Sequence, residues 1–496
     1  MKLLYNKNGR NKALQILLIT ILGFILRLVN IFKIEGLWND EYVSWMTASV
    51  PFGGGFWNAV IKQCHMPLYY LYLKPFVHCS DLVLRLTSVI PSILAIPVMY
   101  LIGKEYSKKA GYFCAIITAV LPFLVYYAQE VRFYSLVFLF ASLTLLFAIR
   151  TINAPDNKKN IILFGISAIL LILTHHLSII YLLFISIYIY YKRGIELKYL
   201  LTTVCLTAIC ILPIGISILK QLPSSQWWGS FSYTNLMFLF SDFFSPILSN
   251  NINAPNVFYY SKDILFLILI TLTTLIAILG ICKVINKAKG FTAVFVLTVA
   301  VMCILAITGK VMFITKYLTE ILPVLILLMV LGLEKRRFNI LLYIFILIQL
   351  FSVFTPYYPT KLFRSEGHKI VGDILNFTKP DKILFTYYAP DRFYRYWNKD
   401  AEAYHISKIN RFDYVKNPAN ILADTKKGEK VSIVFLDSVS FIPPYAIDIA
   451  KSNNIPEMFI TFSEIKNKLF KELEDNYKDY DVKSLGSWTV ITAVKK

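Results

Sequence analysis

Stretches of roughly 20 mostly apolar residues, the length that carries a helix across a bilayer, recur from Leu14 to Leu342 with short polar punctuation between them. Such a chain folds as a polytopic helix bundle, because a membrane-spanning helix satisfies its backbone hydrogen bonds internally where no water is present. Composition agrees: 57% hydrophobic residues and a mean hydropathy of +0.58 over 496 residues exclude an ordinary soluble globule. The pattern changes after about Pro356. Thr360 to Lys496 carries 22 Lys and Arg and 18 Asp and Glu, a charge density foreign to a bilayer interior. The sequence therefore divides into a membrane portion, residues 1–358, and a soluble portion, residues 359–496.

The formal charge of +21 resides mostly in the membrane portion, which contributes +17. The excess lies in short loops rather than along one face, which argues against a nucleic-acid partner and for a topological role. Short loops rich in Lys and Arg mark the cytoplasmic side. With the N-terminus inside, spans near 13–32, 82–102, 112–128, 134–149, 161–173, 178–191, 199–219, 263–283, 291–308, 314–333 and 340–355 make eleven crossings. The loops then predicted to be inside hold nineteen of the 29 basic residues of the membrane portion. The stretch from His65 to Cys79 is short and interrupted by Pro67, Lys74 and Pro75, so it is expected to lie along the outer surface. Counting it as a span would put the Lys-rich loops outside. The odd number of crossings places the soluble portion outside as well.

Five cysteines (Cys114, Cys205, Cys210, Cys282 and Cys303) fall in apolar runs and read as small core residues. Cys64 and Cys79 follow the first span and are able to pair if that region faces an oxidising compartment. The first apolar run, preceded by Lys2, Lys7, Arg10 and Lys12, reads as a signal anchor without a small-residue cleavage site.

Acids are scarce, with only 12 Asp and Glu before residue 360, so a carboxylate at an apolar boundary needs a reason. Asp40 and Glu41 stand side by side just past the first span, in Trp38-Asn39-Asp40-Glu41-Tyr42. A solvated loop pair is the plain alternative to a chemical role. The same predicted face gathers His65, Arg85, Gln129, Glu130, Arg132, Tyr134, His175, His176, Lys310, Lys316 and Tyr317. In the soluble portion, Ile383 to Tyr388, Val431 to Leu436 and Ser487 to Val494 read as strands. Helices are expected near 364–377, 391–398, 443–453 and 463–475. No nucleotide loop, metal cluster or nucleophile motif is apparent there, and covering a site or selecting an acceptor is the role its predicted side suggests.

Several of these motifs, in this order, resemble the GT-C class of membrane glycosyltransferases, and within it the bacterial relatives of protein O-mannosyltransferases and lipid A aminoarabinose transferases. They are the Asp40-Glu41 pair, His65-Met66-Pro67-Leu68-Tyr69-Tyr70, Leu84-Arg85-Leu86, Gln129-Glu130-Val131-Arg132-Phe133-Tyr134, and Lys316-Tyr317-Leu318 followed by Pro323. Together they cover about residues 10–335. Lys316 stands where the class commonly has Arg.

The resemblance implies a membrane all-α fold of about eleven GT-C-type transmembrane helices with juxtamembrane helices, plus a C-terminal extracytoplasmic α/β domain, in a bacterial cytoplasmic membrane. It implies transfer of a sugar from a polyprenyl-phosphate donor to a lipid, glycan or protein acceptor at the outer face. A hydroxyl acceptor needs a base, for which Asp40 is the first choice and Glu41 the second. A phosphate leaving group needs positive charge, for which Arg85, Arg132 and Lys316, with Tyr317, are candidates. For Arg85 and Arg132 the alternative is a helix-end salt bridge to Asp81 or Glu130, and for Lys316 it is interfacial snorkelling. Glu130, Tyr134 and His65 are further site candidates. No cofactor is required, although some relatives hold a divalent metal at the position of His65. Trp227, Trp228, Phe231 and Tyr233 suit either a sugar or a membrane interface. A lipid-linked sugar transporter is the competing reading, but its charges are expected near the bilayer midplane. A non-catalytic scaffold would need no common geometry among these groups.

Overall fold

The computed structural model describes residues 7–29, 31–33, 36–37, 39–192, 195–199, single positions between 201 and 216, 236–237, 239–244, 264–308, 311, 313–335, 337–354, 377–379, 381–385, 405–408, 425–436, 471–485 and 488–496. The chain forms two compact units, one of Met1–Phe32 with Val43–Pro359 and the other of Lys33–Tyr42 with Thr360–Lys496.

The first unit is helical. Its elements begin with α1 (Lys7–Leu28), the three short helices α2 (Asn39–Ser49, whose first residues belong to the other unit), α3 (Gly54–Lys62) and α4 (Leu68–Leu73), and then the long α5 (Asp81–Lys104). There follow α6 (Lys108–Val120), α7 (Pro122–Ala128), α8 (Tyr134–Asn153), α9 (Lys158–Thr174), α10 (Ser178–Tyr191) and the short α11 (Leu239–Phe244). The last helices are α12 (Ile264–Val284), α13 (Lys289–Ile307), a 3-10 stretch over Thr315–Ile321 that runs into α14 (Leu322–Leu333), and α15 (Asn339–Val353). Six of these runs are long and apolar enough to cross a bilayer, namely α1, α5, α8, α12, α13 and the Thr315–Leu333 run. A seventh is the pair α6 and α7, bent by 53°. Helices α9, α10 and α15, with 17, 14 and 15 residues, are shorter than the usual span. The expected span at 199–219, like Lys310 and the aromatic loop around Trp227, lies wholly or mostly outside the described residues. The segment after His65 forms the six-residue α4 and a 3-10 turn over Lys74–Phe76 rather than a span. No disulfide joins Cys64 and Cys79 among the described residues.

Prolines determine where the helices open. Pro122 has no N–H, so the carbonyl of Thr118, four residues earlier, loses its helical donor. Leu121 turns to an extended conformation and α6 stops. The fully buried Arg27 of α1 answers the break: its Nη2 donates to Thr118 O (3.1 Å), its Nη1 to Ala119 O (3.0 Å) and its Nε to Ser92 Oγ of α5 (2.7 Å). Pro91 inside α5 frees the carbonyl of Thr87 in the same way, and the hydroxyl of Tyr72 from α4 donates to it at 2.7 Å. Lys74 then caps the end of α2, donating to Ala48 O (3.0 Å) and to Val50 O. The short helices α2 and α4 are thus tied to the bundle by side chains that meet backbone groups left over by helix ends and prolines. Helix α14 is almost wholly buried. It meets α12 where Gly332 faces Gly280, and a Cβ on Gly332 would run into the Gly280 carbonyl.

The second unit contains a five-stranded sheet of order β2-β1-β3-β5-β4, from β1 (Lys382–Phe385), β2 (His405–Lys408), β3 (Lys430–Leu436), β4 (Tyr477–Leu485) and β5 (Trp488–Lys495). Strand β1 is parallel to β2 and β3, and β5 runs antiparallel to β3 and β4. The buried hydroxyls of Ser432 and Thr492, paired across β3 and β5, lie 3.0 Å apart. β1, β3 and β5 are the strands expected from sequence; β2 and β4 are additions. β4 is an edge strand reading Tyr477-Lys478-Asp479-Tyr480-Asp481-Val482-Lys483 with a bulge between Lys478 and Asp481. Charge and a bulge are how sheet edges avoid further pairing, and they also hide the strand from hydrophobic patterning. The helices expected at 364–377, 391–398 and 443–453 lie essentially outside the described residues, and of the one at 463–475 only the last residues, from 471, are described as helical.

Candidate active site

The turn joining α7 to α8 is the centre of the site. It begins where α7 ends at Ala128, and Gln129 turns back to α1, donating from Nε2 to Arg27 O (2.9 Å) and Val29 O (2.7 Å). Those carbonyls belong to the unsatisfied last turn of α1, so Gln129 is a cap. Three residues later Arg132 is buried. Its backbone carbonyl accepts from Ser88 Oγ of α5 (3.3 Å), and its Nη1 donates to Ser44 Oγ of α2 (3.2 Å). The guanidinium lies 5.0 Å from the Phe133 ring centroid, and its Nη2 stands 3.5 Å from His65 Nε2.

Aromatic contacts extend the site. Phe133 lies between two imidazoles, 5.2 Å from the His65 ring and stacked on His175 at 5.2 Å. The His175 ring is 6.0 Å from Tyr317, and His175 Nδ1 is 3.9 Å from Glu320 Oε2. Lys316 Nζ is 5.7 Å from the ring centroids of both Tyr134 and Tyr317. Tyr134 in turn packs edge-on against Tyr127 at 4.7 Å. The 3-10 stretch begins with Thr315, whose Oγ1 donates to Asp242 Oδ2 of α11 at 2.7 Å.

The environment sets protonation. Burial, and then the charge of Arg132, hold His65 well below the usual imidazole range. Burial does the same to His175 and brings His176 down to about 4. All three are neutral near pH 7, so Arg132 and Lys316 carry the positive charge. Burial pushes the Asp242 carboxyl up to about 7, against the opposing hydrogen bond from Thr315.

The structure thus brings His65, Arg132, Tyr134, Lys316 and Tyr317 of the sequence-derived set into one cluster of contacts. Arg85 is fully buried in α5, one helical turn before Ser88. Glu130 is buried in the α7–α8 turn, where its carbonyl accepts from Arg132 N at 2.7 Å. Asp40 and Glu41 occupy the first turn of α2, where the helix dipole favours negative charge. Glu41 is fully buried and Asp40 half-buried, and both are grouped with the second unit. Ser44, Asp242 and Glu320 were not singled out from sequence. A lone acid in an apolar stretch was the available signal for Asp242 and Glu320, whereas Ser44 carries none. The Nε2 of His65 faces a guanidinium, and no three His, Cys, Asp or Glu side chains gather to hold a metal among the described residues.

The fold is similar to that of solved structures of ArnT. The chain is similar to ArnT from Cupriavidus metallidurans in the apo state, with a TM-score of 0.57 at 10% identity over 98% of each chain. It is similar to the same protein bound to undecaprenyl phosphate, with a TM-score of 0.53 at 12% identity over 96% of this chain and 97% of that one. At such identities the likeness is one of fold. No protein-family model and no curated protein matches the sequence.

Proposed function

We propose that this protein is a membrane glycosyltransferase that moves a sugar from a polyprenyl-phosphate donor to a hydroxyl-bearing lipid, glycan or protein at the outer face of a bacterial cytoplasmic membrane. The observation that carries the reading is the buried Arg132, packed on Phe133 and bonded to Ser44, in a cluster with Lys316 and Tyr317. Positive charge held among aromatic rings and neutral imidazoles suits a phosphate on an apolar chain. The undecaprenyl phosphate bound to ArnT, in a fold shared over nearly the full length, supports the same ligand class.

In this account Asp40 takes the proton of the acceptor hydroxyl as its oxygen attacks the anomeric carbon. The bond from that carbon to the phosphate oxygen breaks, and its electron pair leaves with the phosphate. Arg132, Arg85 and Lys316 offset the developing charge, and the Tyr317 hydroxyl is available to donate to a phosphate oxygen. His65, kept neutral, offers a hydrogen bond rather than a third cation beside Arg132. Glu41 is the second choice of base; Glu130 and Tyr134 shape the turn. Eleven crossings, an inside N-terminus and a soluble α/β portion outside complete the reading, on the strength of the Lys and Arg distribution.

The test is donor turnover. Purified protein with a radiolabelled polyprenyl-phosphate sugar and a membrane extract should release free polyprenyl phosphate, and Arg132→Met should weaken undecaprenyl phosphate binding at least tenfold. A transporter would move the lipid without cleaving it, and binding unaffected by Arg132→Met would remove the guanidinium from the phosphate site.

A further inference from the structure

Two carboxyl groups that the reaction does not use, the half-buried Asp242 and the buried Glu320, bracket the segment carrying Lys316 and Tyr317. At its first residue, Thr315 donates to Asp242 of α11. That helix is itself held at its other end, where Gln349 Nε2 of α15 donates to Phe244 O at 2.6 Å, and Phe243 packs edge-on against Phe123 of α7. In the last turn, Glu320 is fully buried and neither carboxyl oxygen has a hydrogen bond. His175 Nδ1, a nitrogen that is also unsatisfied, stands 3.9 Å from Glu320 Oε2. An apolar side chain would avoid the cost of burying a carboxyl without a hydrogen-bond partner.

The local geometry supplies a reason for Glu320. The stretch is broken at Leu318, whose backbone is non-helical, and Tyr317 before the break and Glu320 after it both approach His175. Thr319 Oγ1 bridges the break, donating to Lys316 O at 2.7 Å. His175 also stacks on Phe133, which carries Arg132, so the imidazole stands between Glu320 and the Arg132 arm of the site.

We infer that Asp242 and Glu320 are positioning residues that hold the two halves of the kinked Thr315–Ile321 segment, through Thr315 and His175 respectively, and so fix Lys316 and Tyr317 toward the donor phosphate. The bracing rests on the hydrogen bond from Thr315 to Asp242 and on the approach of Glu320 to His175; its functional consequence rests on the proposed phosphate role of Lys316 and Tyr317.

Hydrogen–deuterium exchange over residues 313–321 reads the brace without any assay of activity. Asp242→Ala and Glu320→Leu should each speed exchange there at least tenfold, whereas Asp242→Asn and Glu320→Gln, which keep an acceptor for Thr315 and a partner for His175, should restore it. In turnover, the first two variants should raise the KM for the polyprenyl-phosphate sugar about tenfold with kcat within about threefold, and the conservative pair should return KM to the wild-type value. Unfolding midpoints select variants that remain folded. Unchanged exchange in folded Asp242→Ala and Glu320→Leu overturns the brace. Faster exchange with unchanged KM leaves the brace in place and overturns the phosphate role of Lys316 and Tyr317.

Discussion

At the scale of single residues the site is defined by which groups keep their charge. Arg132 is buried against Phe133, Ser44 and His65, and the neighbouring imidazoles are neutral. Stability should depend on pH accordingly. His65 has a folded pKa below its unfolded value of about 6.5, so its favourable contribution is present above that value and lost as pH falls toward the folded one. The apparent unfolding midpoint in detergent should therefore drop between pH 7 and pH 5, with His65 supplying up to about 1.4 kcal/mol per pH unit. His65→Gln should flatten part of that drop, leaving the share due to His175 and His176. An identical drop in His65→Gln would mean that His65 takes up its proton equally in the folded and unfolded states. Arg132, His65, Tyr134, Lys316 and Tyr317 were legible in sequence because polar groups at the ends of apolar runs are few and recur on one predicted face. Asp242 and Glu320 were not, because a lone acid does not reveal which distant residue it meets. Ser44 was invisible, since a serine in a short helix has many ordinary uses.

At the scale of elements, helix breaks rather than helix lengths build the site. The Pro122 break ends α6, starts α7 and so delivers the turn bearing Arg132. Arg27 compensates it by meeting Thr118 O and Ala119 O. Arg27→Met should destabilise the protein by about 2–4 kcal/mol, because at least two buried carbonyls lose their donor. Pro122→Ala should recover on the order of 1 kcal/mol in the Arg27→Met background, by returning an N–H to Thr118 O. Strictly additive effects in that double-mutant cycle would show that Arg27 does not serve the break. The apolar period revealed most helices to within a few residues, and the short, proline-interrupted stretch after His65 revealed that it does not span. The role of Arg27 was hidden, because a lone Arg inside the first apolar run reads as an end charge until its partner, 91 residues away, is known.

At the scale of the whole molecule, an apolar bundle is followed by a charged C-terminal portion, and the sequence announced both by a single change in composition. The sheet order and the edge strand β4 were not announced, since parallel pairing of short strands depends on connections that composition does not encode. The grouping of residues 33–42 with the second unit was equally hidden, because it depends on contacts distant in sequence. The fold shared with ArnT over nearly the whole chain, at 10% identity, is consistent with a bundle defined by apolar pattern while few positions need a particular side chain. The acceptor base is among those few in this account. The most direct measurement is transfer of label from radiolabelled polyprenyl-phosphate sugars in membranes holding equal amounts of the intact protein or Asp40→Asn. The account predicts transfer by the intact protein and a loss of at least a hundredfold in the variant. Equal transfer by the two would contradict it and move the base to Glu41.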